Sequence, residues 1–436
     1  MELSQRFSFG VALTLGARIL MAGNSVLSGI IIARLLGAES LGVFVVLSVT
    51  VSTVIQVGTF GLHIANTYFT ARERENLVPA ALNGTVFAII SGLICALVVW
   101  LFAPSFLPGV PRELAAIGLL SVPFQLVTII ITNLFLAQGE VKRFNYLDFL
   151  NQSFVLINAV IALVILNSGL WTLVPLNTAA NAAVAILTGV LFYRFLRSRT
   201  EKINWRFDSG LLRRTLRFGI KGHILWVATF LVYRLDLLFV NYFRGSAEAS
   251  VYAVATQCTL FLLLLPHAVS HILQNRVAAT QDEGGEFTCR AARFTSVLLL
   301  AACILTVPGA MLLAKIYGRA FADLPFLIWL LLPGVFFVGV QAVLAQYFVG
   351  TGLPWKLPTF WVAIVVLNIT LNLFAIPVYG SRGAAVVSTA CYLIVFFIVF
   401  AFFKLRTGHS LREVFVLRRS DWLLFLKPKT HPASAS

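Results

Sequence analysis

The stretch that decides the fold is LRFGIKGHILWVATFLVYRLDLLFVNYF, which occupies Leu216–Phe243. It is long and apolar enough to cross a bilayer, whose hydrocarbon core requires roughly 20 apolar residues in a helix. It nevertheless contains Lys221, His223, Arg234 and Asp236. Charged groups at membrane depth are energetically costly, so they usually face protein or a water-filled cavity. We therefore interpret this stretch as a transmembrane helix that forms one wall of a polar cavity.

The composition of the whole chain is that of a membrane protein. Hydrophobic residues make up 59% of the 436 residues, whereas charged residues make up only 11%, and the mean hydropathy is +0.91. Apolar runs of bilayer length recur from end to end, and they are continuous, unlike the alternating strands of a β-barrel. The composition therefore predicts an all-α polytopic membrane protein.

Hydropathy and the positions of Pro and Gly divide the chain into about twelve transmembrane helices. The expected limits are 9–33, 41–69, 81–103, 113–136, 146–167, 170–195, 216–243, 251–274, 291–314, 324–348, 357–379 and 383–403. These spans predict an N-terminal six-helix lobe at 1–195 and a C-terminal six-helix lobe at 216–403, with a basic cytoplasmic linker at 196–215 and a basic cytoplasmic tail at 404–436. The loops are short, which leaves no room for an extramembrane catalytic domain.

The basic residues predict the orientation of the chain. The formal net charge is +16, from 33 Lys and Arg against 17 Asp and Glu. When both termini are placed in the cytoplasm, most of the Lys and Arg fall in inside loops, as the positive-inside rule requires. A strongly basic soluble protein would suggest nucleic acid as a partner, but topology and attraction to anionic membrane lipids explain the charge here. We therefore expect cytoplasmic termini and no binding of nucleic acid.

The second half of the chain repeats the first. The stretch Gly37–Phe44 aligns with Gly245–Tyr252 without a gap, in each case just after the first span of its half. Weaker matches keep the same order, and they pair Phe9-Gly10 with Phe218-Gly219, Phe135–Gly139 with Phe348–Gly352, and Asn158 with Asn368. Because each half has an even number of spans, both halves start on the same side of the membrane. The duplication is therefore predicted to be parallel, with its axis along the membrane normal.

The first span carries a candidate substrate-binding face. A helical wheel places small and polar residues on one side of it, namely Thr14, Arg18, Ala22, Ser25 and Gly29. Such a face is also typical of close packing between helices. Arg18, however, lies too deep to reach the interface easily, which favours the wall of a polar cavity. Arg18 and Ser25 are therefore predicted to contact substrate.

The second span carries a polar stripe at helical spacing, formed by Ser52, Gln56, Thr59, His63, Thr67 and Thr70. In a bilayer such a stripe faces protein or water. Hydrogen bonding between helices explains it as well as contact with substrate does. Both interpretations stay open, and Gln56 and His63 are candidate substrate-binding residues.

The polar residues of the seventh span divide between two sides of the helix. One face carries Gly222, Trp226, Thr229, Tyr233 and Asp236, and its flank carries Arg234 and His223. Acidic residues are scarce within the spans, which makes Asp236 a candidate for proton or cation coupling. A structural counter-ion to Arg18 or Lys221 is the alternative, and burial alone does not decide between the two.

No metal or cofactor site is evident in the sequence. His267 and His271 are four residues apart, but the Glu of the zinc-protease pattern is missing between them, so no metal is expected. The five cysteines form no CxxC motif, and we expect free packing thiols. Three pairs of asparagines each share a helix face, namely Asn151 with Asn158, Asn177 with Asn181, and Asn368 with Asn372. They either bond to neighbouring helices or contact sugar hydroxyls. The sequence has no P-loop, GxSxG or HExxH pattern, and neither a cofactor nor an enzymatic activity is expected.

The loop from Arg194 to Arg217 is basic and contains Trp205 and Phe207. It is typical of an amphipathic segment that lies on anionic lipid. The same charge would also gather an anionic substrate at the cytoplasmic mouth of a transporter. The sequence leaves both interpretations open.

Several of these stretches resemble one family. Ile31–Phe44 resembles the end of the first span and the following turn in flippases of the polysaccharide transporter branch of the MOP superfamily, often called Wzx-type. Tyr233–Tyr252 is similar to the seventh-span signature of these proteins, and Tyr317-Gly318, Pro333-Gly334 and Leu371–Ala385 are similar to their C-terminal pattern. The resemblance rests on the order and spacing of these motifs from the first span to the twelfth.

The resemblance implies two six-helix lobes in a V shape around a central cavity. It implies a flippase that moves undecaprenyl-diphosphate-linked oligosaccharide repeat units across the bacterial cytoplasmic (inner) membrane, for O-antigen, capsule or exopolysaccharide synthesis. Arg18 and Arg234 then suit the diphosphate, because Arg offers a forked and permanently charged set of donors, and Lys221 is a further substrate-binding candidate. The coupling ion would be H+ or Na+ at Asp236. A polysaccharide polymerase and a chain-length regulator are the expected protein partners.

The alternative function is an ion-coupled exporter of drugs or other small molecules within the same superfamily. An exporter of organic cations is expected to have an acidic cavity. The intramembrane charges here include cations, which disfavours such an exporter. A membrane-bound polymerase or sugar transferase is the enzyme alternative. It would normally have a large outside loop, and none is predicted.

Overall fold

The computed structural model describes residues 2–199, 203–270, 273, 285–351 and 356–416. Within these residues the chain is almost entirely helical and contains no strand. The helices are α1 Glu2–Gly58, α2 Leu62–Arg72, α3 Leu77–Phe106, α4 Arg112–Leu119, α5 Ser121–Ala137, α6 Val141–Ala159, α7 Leu170–Arg197, α8 Ser209–Arg244, α9 Ser246–Phe261, α10 Glu286–Tyr317, α11 Leu324–Thr351, α12 Lys356–Thr407 and α13 Leu411–Phe415. A π-helical turn at Val160–Ile165 extends α6, and a helical stretch at 264–270 extends α9.

Ten helical stretches in the described residues are long and apolar enough to cross a membrane. The two longest, Arg18–Gly58 and Thr359–Thr407, contain 41 and 49 residues, far more than the roughly 20 that one crossing requires. Each is divided by a glycine in a non-helical conformation, Gly37 in α1 and Gly380 in α12. When each of the two is counted as a helical pair, the described chain has twelve crossings, as the sequence predicts.

The turns at Gly37 and Gly245 show the parallel repeat directly. Gly37 has φ 82° and ψ 173°, and Gly245 has φ 88° and ψ 171°. These are the two glycines that the sequence aligns, and both stand between the first and second crossings of their halves. A positive φ is strained for residues with a Cβ, which explains why both positions hold glycine.

The loops of the bundle lie at two ends, which we call the Gly37 end and the linker end. The Gly37 end contains the turns at 37, 107–111, 166–169, 245, 318–323 and 380, and the linker end contains the turns at 73–76, 138–140 and 198–208. At the Gly37 end the two halves touch through backbone, because a Cβ added to Gly42 would lie 1.8 Å from the carbonyl oxygen of Ser246. The Asn241 amide also donates to the Pro108 carbonyl at 3.0 Å. The halves are therefore packed tightly together at this end.

At the linker end, α2 and the first turns of α8 form a second contact between the halves. The predicted second span, 41–69, is interrupted between α1 and α2 by Phe60 and Gly61, which have positive φ angles of 45° and 72°. A Cβ on Gly219 would lie 2.6 Å from the Gly61 carbonyl oxygen, so the two backbones cross at contact distance. Asp208 caps α8 by accepting from the Leu211 N–H at 2.8 Å.

Candidate functional site

A cavity of about 330 Å³ lies between the two halves, just below the contacts at the Gly37 end. We call it the central cavity. The first half contributes α1 residues such as Ser25, Ser48 and Ser52, and the second half contributes Arg234 of α8 and Gln257 of α9. Two of the predicted substrate-binding residues, Ser25 and Arg234, are thus brought to one cavity although they come from opposite halves.

Arg234 is the charged side chain of the central cavity. None of the other described lining residues is Lys, Arg, Asp or Glu. The described part of the chain provides no hydrogen bond or ion pair to Arg234 within bonding distance. A guanidinium is always charged, and a charge withdrawn from bulk water needs an opposite charge or hydrogen-bond acceptors. The cavity is therefore chemically suited to an anion.

Asp236 lies two residues from Arg234 but faces the interior of the second half. Its side chain is 1% exposed. It accepts hydrogen bonds from the Tyr252 hydroxyl of α9, from the Ser388 hydroxyl of α12 at 2.6 Å and from the Leu237 N–H at 2.9 Å. The carboxylate is thus held by donors from three helices.

The two sides of α8 that the sequence separates have different surroundings. Arg234, on the flank, lines the central cavity, whereas Tyr233 and Asp236, on the other face, do not. Tyr233 packs edge-on against Tyr392, with ring centroids 5.4 Å apart. A helical wheel separates the sides of a helix but does not say which side the neighbouring helices cover.

Arg18 is paired within the first half. Its Nη2 lies 3.0 Å from Oδ2 of Asp148 on α6, and the two side chains are 45% and 27% exposed. Six residues further along α1, the Asn24 amide donates to the Ser153 hydroxyl at 3.0 Å. The alternative in which Asp236 is the counter-ion of Arg18 is therefore excluded, because Arg18 pairs with Asp148. Arg18 is also absent from the described lining of the central cavity.

The remaining predicted residues are not gathered in the central cavity. Gln56 and His63 are half-buried and do not line it, and the Nδ1 of His63 is buried without a hydrogen bond among the described residues. His223 lies close to Val57, with its Nε2 3.3 Å from the carbonyl oxygen. The side chain of Lys221 lies outside the described residues.

The polar stripe of the second span mostly bonds to its own helix. The hydroxyls of Ser52, Thr59 and Thr70 donate hydrogen bonds to backbone carbonyl oxygens three or four residues earlier in the chain. Thr67 also reaches across to the Asn133 carbonyl on α5 at 3.3 Å. Ser52 is the stripe residue that lines the central cavity.

A second cavity of about 220 Å³ lies inside the first half, and sequence reasoning did not single it out. We call it the amide chamber, because its polar lining consists of amide and hydroxyl side chains, namely Ser48, Ser52, Ser121, Gln125, Asn151, Gln152, Asn177, Thr178 and Asn181. It shares Ser48, Ser52 and Gln152 with the central cavity, so the two cavities adjoin. The shared helix face of Asn177 and Asn181 was the available signal in the sequence.

A basic surface lies at the linker end, at the junction of α2 and α8. Arg213, Arg214 and Arg217 border a depression that also contains Phe69 and Phe218. Arg214 binds Glu73 with an Nη2–Oε2 distance of 3.1 Å. The hydrogen bond from Asn76 and the nearby Arg214 lower the pKa of Glu73. Both sequence interpretations of the basic loop, lipid contact and attraction of anionic substrate, stay predictions.

Metal ligands are not clustered in the residues that the structure describes. No group of three or more His, Cys, Asp or Glu within this part of the chain has the geometry to hold a metal ion. His271, one member of the pair noted in the sequence, lies outside the described residues. The cysteines at 95, 258, 289, 303 and 391 form no disulfide with one another.

Solved structures of MOP-superfamily transporters share this fold. An inward-facing multidrug resistance MATE family transporter of the superfamily matches with a TM-score of 0.72 at 15% identity, over 91% of this chain and 98% of the other. The lipid II flippase MurJ in an inward closed conformation matches with a TM-score of 0.72 at 12% identity, over 97% and 94%. An outward-facing MATE family transporter of the superfamily matches with a TM-score of 0.63 at 13% identity, over 91% and 94%. The helical fold that the resemblance implies, which is that of these transporters, is confirmed.

A comparison with curated protein sequences found no match. The family model described as "Polysaccharide biosynthesis protein" matches residues 31–324, a range that contains most of the central cavity and the whole amide chamber. The chain therefore belongs to this family of polysaccharide biosynthesis proteins.

Proposed function

We propose that this protein is a flippase for undecaprenyl-diphosphate-linked oligosaccharide repeat units, which it moves from the inner to the outer leaflet of the bacterial cytoplasmic membrane for O-antigen, capsule or exopolysaccharide synthesis. The observation that carries the proposal is Arg234, a cation in the cavity between the halves that has no hydrogen bond or salt bridge within the described chain and only the more distant charge of Asp236 near it. A diphosphate is the charged group of such a lipid, and Arg binds phosphate oxygens through parallel N–H donors. Membership of a polysaccharide biosynthesis family supports the same substrate class.

The contacts between the halves suit a state of an alternating-access transporter that is closed toward the outside. The halves are closed at the Gly37 end through Gly42 and Ser246. Positive-inside counting assigns that end to the outside and the basic linker end to the cytoplasm. Both termini are cytoplasmic in this assignment.

Asp236 is the proposed site of ion coupling, with H+ or Na+ as the ion. It is the buried carboxylate of α8, and its bonds to Tyr252 and Ser388 link α8 to α9 and α12. Protonation or cation binding would change these bonds. In this way an ion would alter the helix that carries Arg234. Asp236→Asn is expected to remove the response of transport to dissipated ion gradients, and an unchanged response would exclude Asp236 from coupling.

The decisive experiment uses a strain that lacks the protein. We expect lipid-linked repeat units to accumulate on the cytoplasmic leaflet while the surface polymer disappears, and we expect both effects to be reversed by the wild-type chain. A polysaccharide polymerase and a chain-length regulator act after this step and are the proposed partners. Single repeat units on the outside, without polymer, would instead place the protein at polymerisation and overturn the proposal.

An ion-coupled exporter of small molecules is the second candidate, because MATE family transporters share the fold. The charge of the central cavity argues against organic cations as its substrates, since its described lining contains Arg234 and no Asp or Glu. The measurement that separates the two functions is drug resistance. Resistance to cationic drugs on expression, without an effect on surface polysaccharide, would favour the exporter.

A further inference from the structure

We propose that the amide chamber binds an uncharged sugar of the substrate, next to the diphosphate, and thereby selects against lipids whose carrier-proximal sugar is acidic. This inference rests on the proposed function, since it assigns the part of the site that holds the glycan. The chamber belongs to the first half of the chain, whereas Arg234 belongs to the second. Loading would therefore engage both halves through different parts of one molecule.

The lining of the amide chamber is polar but uncharged. None of the described residues around it is Asp, Glu, Lys, Arg or His. Its amides come from three helices, with Gln125 on α5, Asn151 and Gln152 on α6, and Asn177 and Asn181 on α7. Amide groups both donate and accept hydrogen bonds, which is the combination that sugar hydroxyls require.

Asn177, which lines the chamber, has an unused amide donor. Its Oδ1 accepts from the Asn158 amide at 2.9 Å, while its Nδ2 is buried and has no partner among the described residues. An unsatisfied buried donor costs free energy, so it calls for a ligand or water that supplies an acceptor. The neighbouring Asn181 side chain donates to the Asn177 backbone carbonyl at 2.8 Å, which fixes the position of the Asn181 amide one turn further along α7.

The position and size of the chamber indicate a single sugar beside the diphosphate. The central cavity and the chamber share Ser48, Ser52 and Gln152, so a ligand group in one is next to a group in the other. Pockets for drug-sized ligands usually measure roughly 300–1,000 Å³, and the chamber of about 220 Å³ is below that range. It therefore suits one sugar ring, and the rest of the repeat unit would extend into the space between the halves.

Electrostatics explains why this sugar should be uncharged. A uronic acid would bring a carboxylate into a chamber whose described lining offers hydrogen bonds but no cation. A carboxylate removed from water without a cation loses solvation that neutral donors replace only in part. A hexose or an N-acetylhexosamine carries no such charge.

The test compares binding of three lipids to the full-length protein in nanodiscs. The lipids are a prenyl diphosphate without sugar, the same lipid with one N-acetylhexosamine, and the same lipid with one uronic acid. We expect the neutral sugar to tighten binding about tenfold over the bare lipid, and the uronic acid to give no gain. Equal gains from both sugars would overturn the selectivity, and no gain from either would overturn the subsite. If even the bare lipid fails to bind, the proposed function fails instead.

The variant Ala180→Leu tests whether the sugar binds in the amide chamber. Ala180 lines the chamber, whereas the adjacent Ala179 on the same helix is exposed and does not, so Ala179→Leu is the matched control. We expect Ala180→Leu to lose the gain from the neutral sugar while it keeps wild-type binding of the bare lipid, which also shows that it is folded. The control should keep both. A wild-type gain in Ala180→Leu would overturn the assignment of the sugar to this chamber.

Gln125→Lys provides an independent variant that tests the charge argument. Gln125 lines the chamber and donates to the Ser121 hydroxyl at 3.1 Å. A cation at this position is expected to give the uronic acid lipid about a tenfold gain over the bare lipid. If Gln125→Lys binds the uronic acid lipid no better than the wild type does, the electrostatic basis of selectivity is wrong.

Discussion

Each half of the protein holds an arginine and an aspartate within its helices, and the two halves arrange them in opposite ways. In the first half Arg18 and Asp148 bind each other at 3.0 Å and remain partly exposed. In the second half Arg234 lines the central cavity without a partner in the described chain, while Asp236 is enclosed by hydroxyl groups. A paired arginine has already satisfied its charge, whereas an unpaired one attracts an anion. This difference in pairing favours Arg234 over Arg18 as the residue that binds an anionic ligand.

The largest expected effect is that of Arg234→Gln on transport. Truncating one partner of a buried, hydrogen-bonded charge pair costs about 2–5 kcal/mol, so the affinity for a prenyl diphosphate should fall by at least about 30-fold. The amount of folded protein should not change, because Arg234 has no partner to lose among the described residues. The measurement is binding in nanodiscs, together with surface polysaccharide in a complemented deletion strain.

Arg244→Gln is the matched control for this variant. Arg244 lies on the same helix, is exposed and pairs with Glu248 at 3.1 Å. Its loss should leave binding unchanged. If Arg234→Gln also binds the lipid like the wild type, then the contrast between the two halves has no functional meaning.

Asp236→Ala should affect stability rather than affinity in the first instance. It removes the acceptor of the Tyr252 and Ser388 hydroxyls in a buried site. Buried donors without acceptors cost about 1–3 kcal/mol each, so we expect a loss of about 3 kcal/mol. Asp148→Ala removes a partly exposed partner and should cost less than about 1 kcal/mol. Thermal unfolding in detergent compares the two, and equal losses would contradict the difference in burial.

Hydropathy and glycine positions were sufficient to predict the number of membrane crossings and the internal repeat. Twelve crossings and the equivalence of Gly37 with Gly245 follow from local patterns, because span length and backbone conformation depend on neighbouring residues. The orientation of α8 does not follow, since Tyr252 and Ser388, which cover Asp236, come from other helices. The partner of Arg18 is likewise set by packing between α1 and α6.

The candidate site was predicted only in part for the same reason. Ser25 and Arg234 were singled out as polar residues at membrane depth, and both line the central cavity. The amide chamber collects Gln125, Gln152 and Asn177 from three helices. None of these side chains is unusual in its own sequence context, so only tertiary packing shows that they share a cavity.

Separation of the halves should change the surroundings of Arg234 but not the Arg18–Asp148 pair, which lies within one half. Gly42→Ala tests this, because its Cβ would lie 1.8 Å from the Ser246 carbonyl oxygen. Such overpacking costs typically about 1–3 kcal/mol and should force the Gly37 end apart. We expect a membrane-impermeant maleimide added outside to label Cys258, which lines the central cavity, in a variant whose other cysteines are replaced.

Gly37→Ala is the control for that labelling experiment. A Cβ at Gly37 meets no atom within 4 Å, although the positive φ strains the substitution. It perturbs the same turn without pushing the halves apart. Labelling of Cys258 in the control but not in Gly42→Ala would show that the contact with Ser246 does not close this end.

Changes to the Arg18–Asp148 pair should affect stability less than Asp236→Ala or Gly42→Ala does. Arg18 and Asp148 are partly exposed, and such ion pairs contribute about 0–1 kcal/mol. A double-mutant cycle of Arg18→Ala and Asp148→Ala is therefore expected to give a coupling energy within that range. Arg18→Asp combined with Asp148→Arg should restore stability. If the exchanged variant does not restore export, Arg18 itself contacts the substrate, as the sequence predicts. The first pair then has a role in transport as well as in stability.

The smallest expected effect belongs to the exposed pair of Glu73 and Arg214 at the linker end, outside the membrane. The Asn76 hydrogen bond and then Arg214 lower the pKa of Glu73 in the folded protein. A carboxyl group with a lowered folded pKa stabilises the protein above its unfolded pKa, and this contribution is lost as the pH falls through the folded value. Glu73→Gln should therefore lower the unfolding temperature slightly at neutral pH. The difference from the wild type should shrink as the pH falls below the usual glutamate pKa of about 4.3 and vanish below the lowered pKa of the folded protein. Unfolding temperatures of both proteins across this pH range provide the measurement, and a difference that persists or grows in acid would show that the pair contributes nothing through its charge.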